Sequence, residues 1–136
     1  MTRRYAEDTD VPVGRSQDQV KDLLRKAGAE RLAVYEDVTW AAVAFGFAGR
    51  LYRLDVPRPT GKSAAQEERR AWRLLLLLVK AKLEAVREGA TTVEREFMAD
   101  TLMPDGSKLA DYAAPQLEAA YRSGVMPTLL IEGPRH

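Results

Sequence analysis

One segment limits the fold more than any other: residues Ser63 to Glu88, which read SAAQEERRAWRLLLLLVKAKLEAVRE and predict a single long helix. At about 100° per residue, four of its basic side chains fall within roughly 40° of each other around the helix axis. We call these four residues the cationic stripe: Arg69, Arg73, Lys80 and Arg87. The pattern predicts a buried scaffold helix that presents one basic edge.

The side of this helix opposite the cationic stripe is apolar, which predicts that it faces the core of the domain. Its residues are Ala71, Trp72, Leu74, Leu75, Leu78, Val79, Leu83, Ala85 and Val86. One charge, Lys82, stands in the middle of this apolar side. We expect its amine to reach the edge of the apolar side or to pair with a buried acid such as Glu36 or Asp55. A reactive amine and contact with an anionic partner stay open as alternatives.

In the middle of the sequence, hydrophobic residues recur at every second position, and this alternation predicts three antiparallel strands. They cover Leu32 to Glu36, Trp40 to Phe47 and Arg50 to Val56, and a tight turn at Ala48-Gly49 joins the last two. Pairing Phe47 with Arg50 gives a core face, which holds Val43, Phe45, Phe47, Tyr52, Leu54 and Val56. The other face, which suits solvent or a subunit contact, holds Trp40, Ala42, Ala44, Gly46, Leu51, Arg53 and Asp55.

One short helix is predicted near the N-terminal end. Residues 1–15 are expected to form an extended arm, because Pro12 and Gly14 interrupt any period. A capping box at Ser16 to Gln19 predicts the start of a helix that runs to about Lys26. A second capping box, at Ser63, predicts the start of the long helix.

The C-terminal third predicts further helices. Gly89 ends the long helix, and a capping box at Thr91 predicts a helix through about Met103. Two short helices should follow, with Pro115 in the first turn of the second and Gly124 after its end. Residues 125–136 are expected to form an extended tail.

Composition limits the class of protein. The 136 residues with 46% hydrophobic content fit one domain. The absence of cysteine excludes disulfides and cysteine zinc sites. Neither a secretory signal nor an apolar run of membrane-spanning length is present, so we expect a cytoplasmic protein that does not contact a membrane.

Catalytic chemistry finds little support in the sequence. Its only histidine is His136, which excludes histidine-based acid–base catalysis and histidine-rich metal sites. The carboxylates of Glu94, Glu96 and Asp100 could meet around a magnesium ion, but a solvated acidic face is the interpretation we favour. We therefore expect no enzyme, no catalytic residue, no metal and no cofactor.

The cationic stripe allows two interpretations. It is either a solvent-facing edge whose arginines pair with neighbours three and four residues away, or a row that contacts successive phosphates of a nucleic acid over about 27 Å of helix. Arg53 on the adjacent sheet edge would extend such a row, and Lys82 would add to it. The net charge of +1 argues against an indiscriminately basic binder. The spacing of Trp40 and Trp72 indicates core or interface positions.

Three motifs are spread over nearly the whole length of the chain: YAxxTxVPVxxS from Tyr5 to Ser16, KAKLE from Lys80 to Glu84, and GxMPxLL from Gly124 to Leu130. Together they resemble a small family of phage and prophage proteins. That family has no assigned activity, so the resemblance implies a phage context, with the host cytoplasm as location, and no mechanism.

The order of elements, three antiparallel strands and then a long helix, is similar to the core of single-strand annealing proteins, which are phage recombinases. We therefore predict an α+β domain with a three-stranded antiparallel sheet packed on one long helix. The leading hypothesis is a homo-oligomeric protein that holds single-stranded DNA for annealing through the cationic stripe, Arg53 and Lys82. The competing hypothesis is a non-enzymatic phage accessory protein that binds and inhibits a host protein.

Overall fold

The computed structural model describes residues 10–127, so the first nine residues of the predicted arm and most of the predicted tail lie outside it. The chain forms helix α1 (Val13–Lys26), strands β1 (Arg31–Glu36), β2 (Trp40–Phe47) and β3 (Arg50–Pro57), helices α2 (Ala64–Arg87) and α3 (Val93–Glu96), a short 3-10 helix (Met98–Asp100) and helix α4 (Leu109–Ser123). This is the α+β fold that the sequence predicts.

The three strands form one antiparallel sheet in the order β1-β2-β3, and the predicted hairpin register is confirmed. Phe47 pairs with Arg50 and Phe45 with Tyr52. The two turn residues, Ala48 and Gly49, have φ angles of 50° and 80°. Positive φ at both central residues is the signature of a type I′ turn, whose twist matches that of the strands it joins.

The core lies on one face of the sheet, beneath α1 and α2. Phe45 stacks on Tyr52 with ring centroids 5.0 Å apart and meets Phe97 edge-on at 5.4 Å. The helices contribute Val20 and Leu24 from α1 and Trp72, Leu76, Val79 and Leu83 from α2. Two helices and three strands thus make a two-layer domain, and the opposite face of the sheet has no helix layer among the described residues.

Helix α1 begins earlier than predicted, at Val13, so the extended arm cannot reach residue 15 and the capping box at Ser16 is wrong. Ser16 lies inside the helix and is fully buried. Its hydroxyl has no hydrogen-bond partner in the described part of the chain. The serine pattern was misleading because a box motif is local, whereas the face that α1 turns to the core includes Ser16 and Val20 together.

The long helix has the predicted extent within one residue at each end, but the Ser63 side chain forms no capping hydrogen bond. At the other end, Gly89 has a φ of 79°, and the amides of Gly89 and Ala90 bond back to the carbonyls of Val86 and Ala85. These two hydrogen bonds together form a Schellman motif, which confirms the prediction that the long helix ends at Gly89.

Only part of the apolar side of α2 is buried in the core. Leu74 and Leu78 were expected to face the core, yet they are 48% and 51% exposed. The buried side is centred roughly 65° around the helix from the cationic stripe, not opposite to it. Three strands about 5 Å apart support two helices side by side, so each helix buries only one stripe of residues.

The C-terminal helices also differ from the prediction. Thr92, not Thr91, caps α3 by accepting a hydrogen bond from the Arg95 amide at 3.2 Å, and α3 ends at Glu96 instead of continuing to Met103. One helix, α4, replaces the two that were predicted, and Pro115 lies inside it. Proline has no amide hydrogen, so one main-chain hydrogen bond, to the carbonyl four residues earlier, is lost, and the helix continues on both sides. Gly124 ends α4 with a φ of 74°, as predicted.

Candidate nucleic-acid interface

Helices α1 and α2 lie side by side in parallel. At one end, Asp10, Pro12 and Val13 line a cavity together with Ala65, Glu68 and Arg69. At the other end, Leu23, Lys26 and Ala27 line a cavity with Lys80, Leu83, Glu84, Val86 and Arg87. A third cavity lies between them, lined by Gln19, Asp22, Leu23, Lys26, Arg73, Leu76, Leu77 and Lys80. The cationic stripe therefore borders the seam between the helices along its whole length.

We call the two cavities that contain Lys26 and Lys80 the cationic groove. Their volumes are about 350 and 510 Å³. Leucines from both helices form its apolar floor, which explains why Leu76 and Leu77 interrupt the stripe in the sequence. Lys26, Arg73, Lys80 and Arg87 carry its positive charge, and Asp22 and Glu84 carry its negative charge. The groove therefore has a net positive charge of two.

The members of the stripe differ in how far their neighbours neutralise them. Arg87 pairs with Glu84 at 2.5 Å, and Arg69 donates to the side-chain oxygen of Gln66 at 2.6 Å. These contacts have the spacing that the solvent-edge interpretation predicted. Lys80 is exposed and forms neither an ion pair nor a hydrogen bond within residues 10–127. The stripe thus includes one side chain whose charge is fully available to a ligand.

Lys26 belongs to the groove and was missed by the sequence analysis. It comes from the last turn of α1, is exposed, and lines both cavities together with Lys80. The described residues offer it no ion-pair partner either. No signal along the sequence could place it there, because the pairing of α1 with α2 is a contact between segments that are far apart in the chain.

The structure does not bring Arg53 together with the stripe. Alternation along β3 places Arg53 on the face opposite to Tyr52 and Leu54, which are buried beneath the helices. Its guanidinium donates to the Asp55 carboxylate at 2.8 Å and lies 5.7 Å from the centre of the Trp40 ring. Arg53 therefore cannot extend the row of cations on α2.

Lys82 also points away from the groove and has neither of its suggested acid partners. Its ammonium donates to the main-chain carbonyl of Glu96, the last residue of α3, and lies 5.2 Å from the centre of the Phe97 ring. A cation at a helix C-terminus satisfies a carbonyl that the helix leaves unbonded and complements the helix dipole. Lys82 therefore connects α2 to the end of α3.

Lys108 joins the start of α4 to the open face of the sheet. Its ammonium lies 2.9 Å from the Asp100 carboxylate and 3.3 Å from that of Asp55, and its side chain is 14% exposed. Burial lowers the pKa of Lys108, but the hydrogen bonds and charges of Asp100 and Asp55 outweigh it, so the pKa lies above its ordinary value of 10.5. Lys108 and Arg53 thus neutralise Asp55 from both sides.

Two acidic residues, one in α3 and one in the 3-10 helix, make local contacts. Asp100 pairs with Lys108, and Glu96 accepts a hydrogen bond from the Thr91 hydroxyl at 2.9 Å. No three histidine, aspartate or glutamate side chains within residues 10–127 lie close enough together to hold a metal ion. Among the helices of the same residues, none combines the length and hydrophobicity needed to cross a bilayer.

No family model matches the sequence, and comparisons with curated proteins and with solved structures find no significant match either. The resemblances to phage proteins and to annealing proteins therefore stay predictions.

Proposed function

We propose that this protein binds single-stranded nucleic acid along the cationic groove and acts by positioning the strand, without bond chemistry. The observation that carries the proposal is the pair of Lys26 and Lys80. One comes from each helix, both are exposed, and both line the two cavities of the groove. Arg73 and Arg87 continue the positive row on either side of Lys80, which suits the regularly spaced phosphates of a nucleic acid.

The dimensions of the groove favour one strand over two. Arg73 and Arg87 are about 21 Å apart along α2 at 1.5 Å per residue. Packed helices have axes about 8–10 Å apart, so the groove along their seam suits one extended strand, whereas the two strands of a duplex are separated by grooves about 6 and 12 Å wide and cannot both lie in it. The proposed ligand is therefore single-stranded.

Strand annealing by a homo-oligomer of a phage-encoded protein is the finer form of this proposal. It rests on the resemblances in the sequence, and the groove supports only its first step, the capture of a strand. An annealing assay with complementary oligonucleotides and sedimentation of the protein with and without DNA test this finer form separately.

Fluorescence anisotropy of a labelled single-stranded oligonucleotide at several salt concentrations tests the binding. We expect affinity to fall steeply with salt, since each phosphate contact on a single strand releases about 0.7 of a counterion. The variant Lys26→Glu/Lys80→Glu removes two contacts, so its logarithmic salt slope should be shallower by about 1.4, with weaker binding at every salt concentration.

The matched control is Arg95→Glu/Arg122→Glu, which changes the net charge equally at two exposed residues outside the groove. It should bind nearly as the wild type does. Equal weakening of both variants would show a response to net charge alone and would contradict binding in the groove, as would the absence of binding at low salt.

A host-protein partner is the second candidate, and one observation favours it. Leu74 and Leu78 are about half exposed on the outer side of α2. Large side chains of this kind on one helix face are typical of protein contacts. Leu74→Glu/Leu78→Glu should abolish capture of such a partner and leave oligonucleotide binding unchanged, whereas loss of DNA binding in this variant would argue against separate surfaces.

A further inference from the structure

The face of the sheet that α1 and α2 leave uncovered carries a trough of about 510 Å³, which we call the sheet trough. Ala33 and Ala44, paired across β1 and β2, form part of its floor. Larger side chains surround them: Arg31, Tyr35, Trp40, Leu51, Arg53 and Leu102. The small floor residues leave room for a flat group to approach the sheet.

Two aromatic side chains of the trough are open to solvent. Tyr35 is 52% exposed and Trp40 is 39% exposed. Tyr35 pairs with Ala42, two residues from Trp40 on the same face, so the two rings are diagonal neighbours. The Arg53 guanidinium, 5.7 Å from the centre of the Trp40 ring, adds a cation–π contact that holds the indole over the sheet.

The charge of the trough favours an anionic ligand. No acidic side chain of the described residues lines it, and the carboxylate of Asp55, on the same face of β3, is shared by Arg53 at 2.8 Å and Lys108 at 3.3 Å. Arg31, at the other end, is exposed and has no ion-pair partner within residues 10–127. Exposed aromatic rings on the same face as arginines are the combination that binds bases by stacking and phosphates by charge.

We propose that the sheet trough binds the unpaired bases of a single-stranded nucleic acid, with a base stacked on Trp40 or Tyr35 and phosphates beside Arg31 and Arg53. This inference rests on the proposed function and names the part of the ligand that is recognised. A duplex does not fit, because its base faces are already stacked on each other. Since the trough and the cationic groove lie on opposite sides of the sheet, a strand that reaches both passes around an edge of the sheet.

The two tryptophans allow a direct test, because Trp40 is exposed and Trp72 is 1% exposed in the core. In the variant Trp72→Phe, Trp40 is the only indole, and titration with an oligodeoxythymidylate should quench its emission as a base stacks on it. By anisotropy of the labelled oligonucleotide, Trp40→Ala should bind on the order of 5- to 150-fold more weakly, as expected for loss of one base–aromatic stack. Trp40→Phe keeps a ring and should retain most of the affinity.

The matched control is Leu74→Ala, which shortens a similarly exposed side chain on α2 and should bind as the wild type does. Circular dichroism establishes that each variant is folded. If Trp72→Phe fails to fold, the comparison of Trp40→Ala with Trp40→Phe by anisotropy decides alone.

Four outcomes would contradict the proposal. Binding that Trp40→Ala leaves unchanged overturns the trough but not the groove, and absence of binding at low salt overturns both. Equal affinity for a duplex of the same length overturns the trough. So does Trp40 emission that changes with protein concentration alone, since a second copy would then cover this face.

Discussion

The two faces of the sheet are built from alternate residues of the same three strands, and their large side chains differ sharply in exposure. On the face beneath α1 and α2, Val43, Phe45 and Tyr52 are at most 2% exposed. On the opposite face, Tyr35, Trp40 and Leu51 are between 39% and 52% exposed. The comparison teaches that large side chains do not by themselves mark a core, because the position of the helices decides which face is buried.

Within residues 10–127, the second face is covered only at its margin. Thr101 bridges to Tyr52, and the Leu102 amide bonds to the Leu51 carbonyl at 2.8 Å, so this segment protects the free edge of β3. Helix α4 follows, but none of its residues is buried. Stability is therefore expected to depend on the covered face, and binding on the open one and on the groove.

The largest difference between the faces should appear in the two tryptophans. Trp72→Ala removes a fully buried ring and should lower the free energy of unfolding by about 3–5 kcal/mol. Trp40→Ala removes a partly exposed ring and one cation–π contact and should cost about 1 kcal/mol. Urea unfolding followed by circular dichroism measures both. Equal losses would refute the assignment of stability to the covered face.

The second prediction concerns Lys108, whose ion pairs lie at the margin of the open face. Lys108→Met should destabilise the protein by about 1–2 kcal/mol at neutral pH, because Asp100 and Asp55 lose their shared partner. The folded-state pKa of Lys108 lies above the ordinary 10.5, so this stabilisation is complete below pH 10.5 and is lost as the pH rises through the folded-state value. The unfolding curves of wild type and variant should converge in that range. A difference that is independent of pH would contradict the ion-pair account.

The smallest effect concerns the polar atom within the covered layer. Ser16→Ala removes a buried hydroxyl that has no partner in the described residues, so it should stabilise the protein by about 1 kcal/mol. Ser63→Ala, at the exposed start of α2, forms the control and should change stability by less than about 0.5 kcal/mol, since Ser63 makes no capping bond. Thermal unfolding compares the two. Destabilisation by Ser16→Ala would contradict this assignment and would favour the predicted role of Ser16 as a helix cap.

The sequence predicted the features that depend on interactions between residues close together in the chain, and it missed those that depend on the assembled fold. The hairpin register and the extent of α2 depend on periodicity and on single turn residues such as Gly89, and both were predicted correctly. The start of α1 and the continuity of α4 through Pro115 were not, because a cap or proline motif has only a local effect that the surrounding fold can override. The exposure of Leu74 was missed because the width of the sheet beneath α2 is a property of the assembled fold.

The candidate sites show the same division. The cationic stripe is a property of one helix, and its angular spacing was correct. Its neighbour across the seam, Lys26, the position of Arg53 on the opposite face and the bond from Lys82 to the Glu96 carbonyl all depend on how separate elements pack together. Period and spacing along the chain carry no information on such contacts.

The most direct test of the central claim is lysine modification read by mass spectrometry, with and without a saturating single-stranded oligonucleotide. Lys26 and Lys80 are both exposed and line the cationic groove, whereas Lys62, which is also exposed, precedes α2 and lines neither of the groove cavities. Binding in the groove predicts that the oligonucleotide slows the modification of Lys26 and Lys80 together and leaves that of Lys62 unchanged. A bound oligonucleotide that leaves Lys26 and Lys80 as reactive as in the free protein would contradict the account.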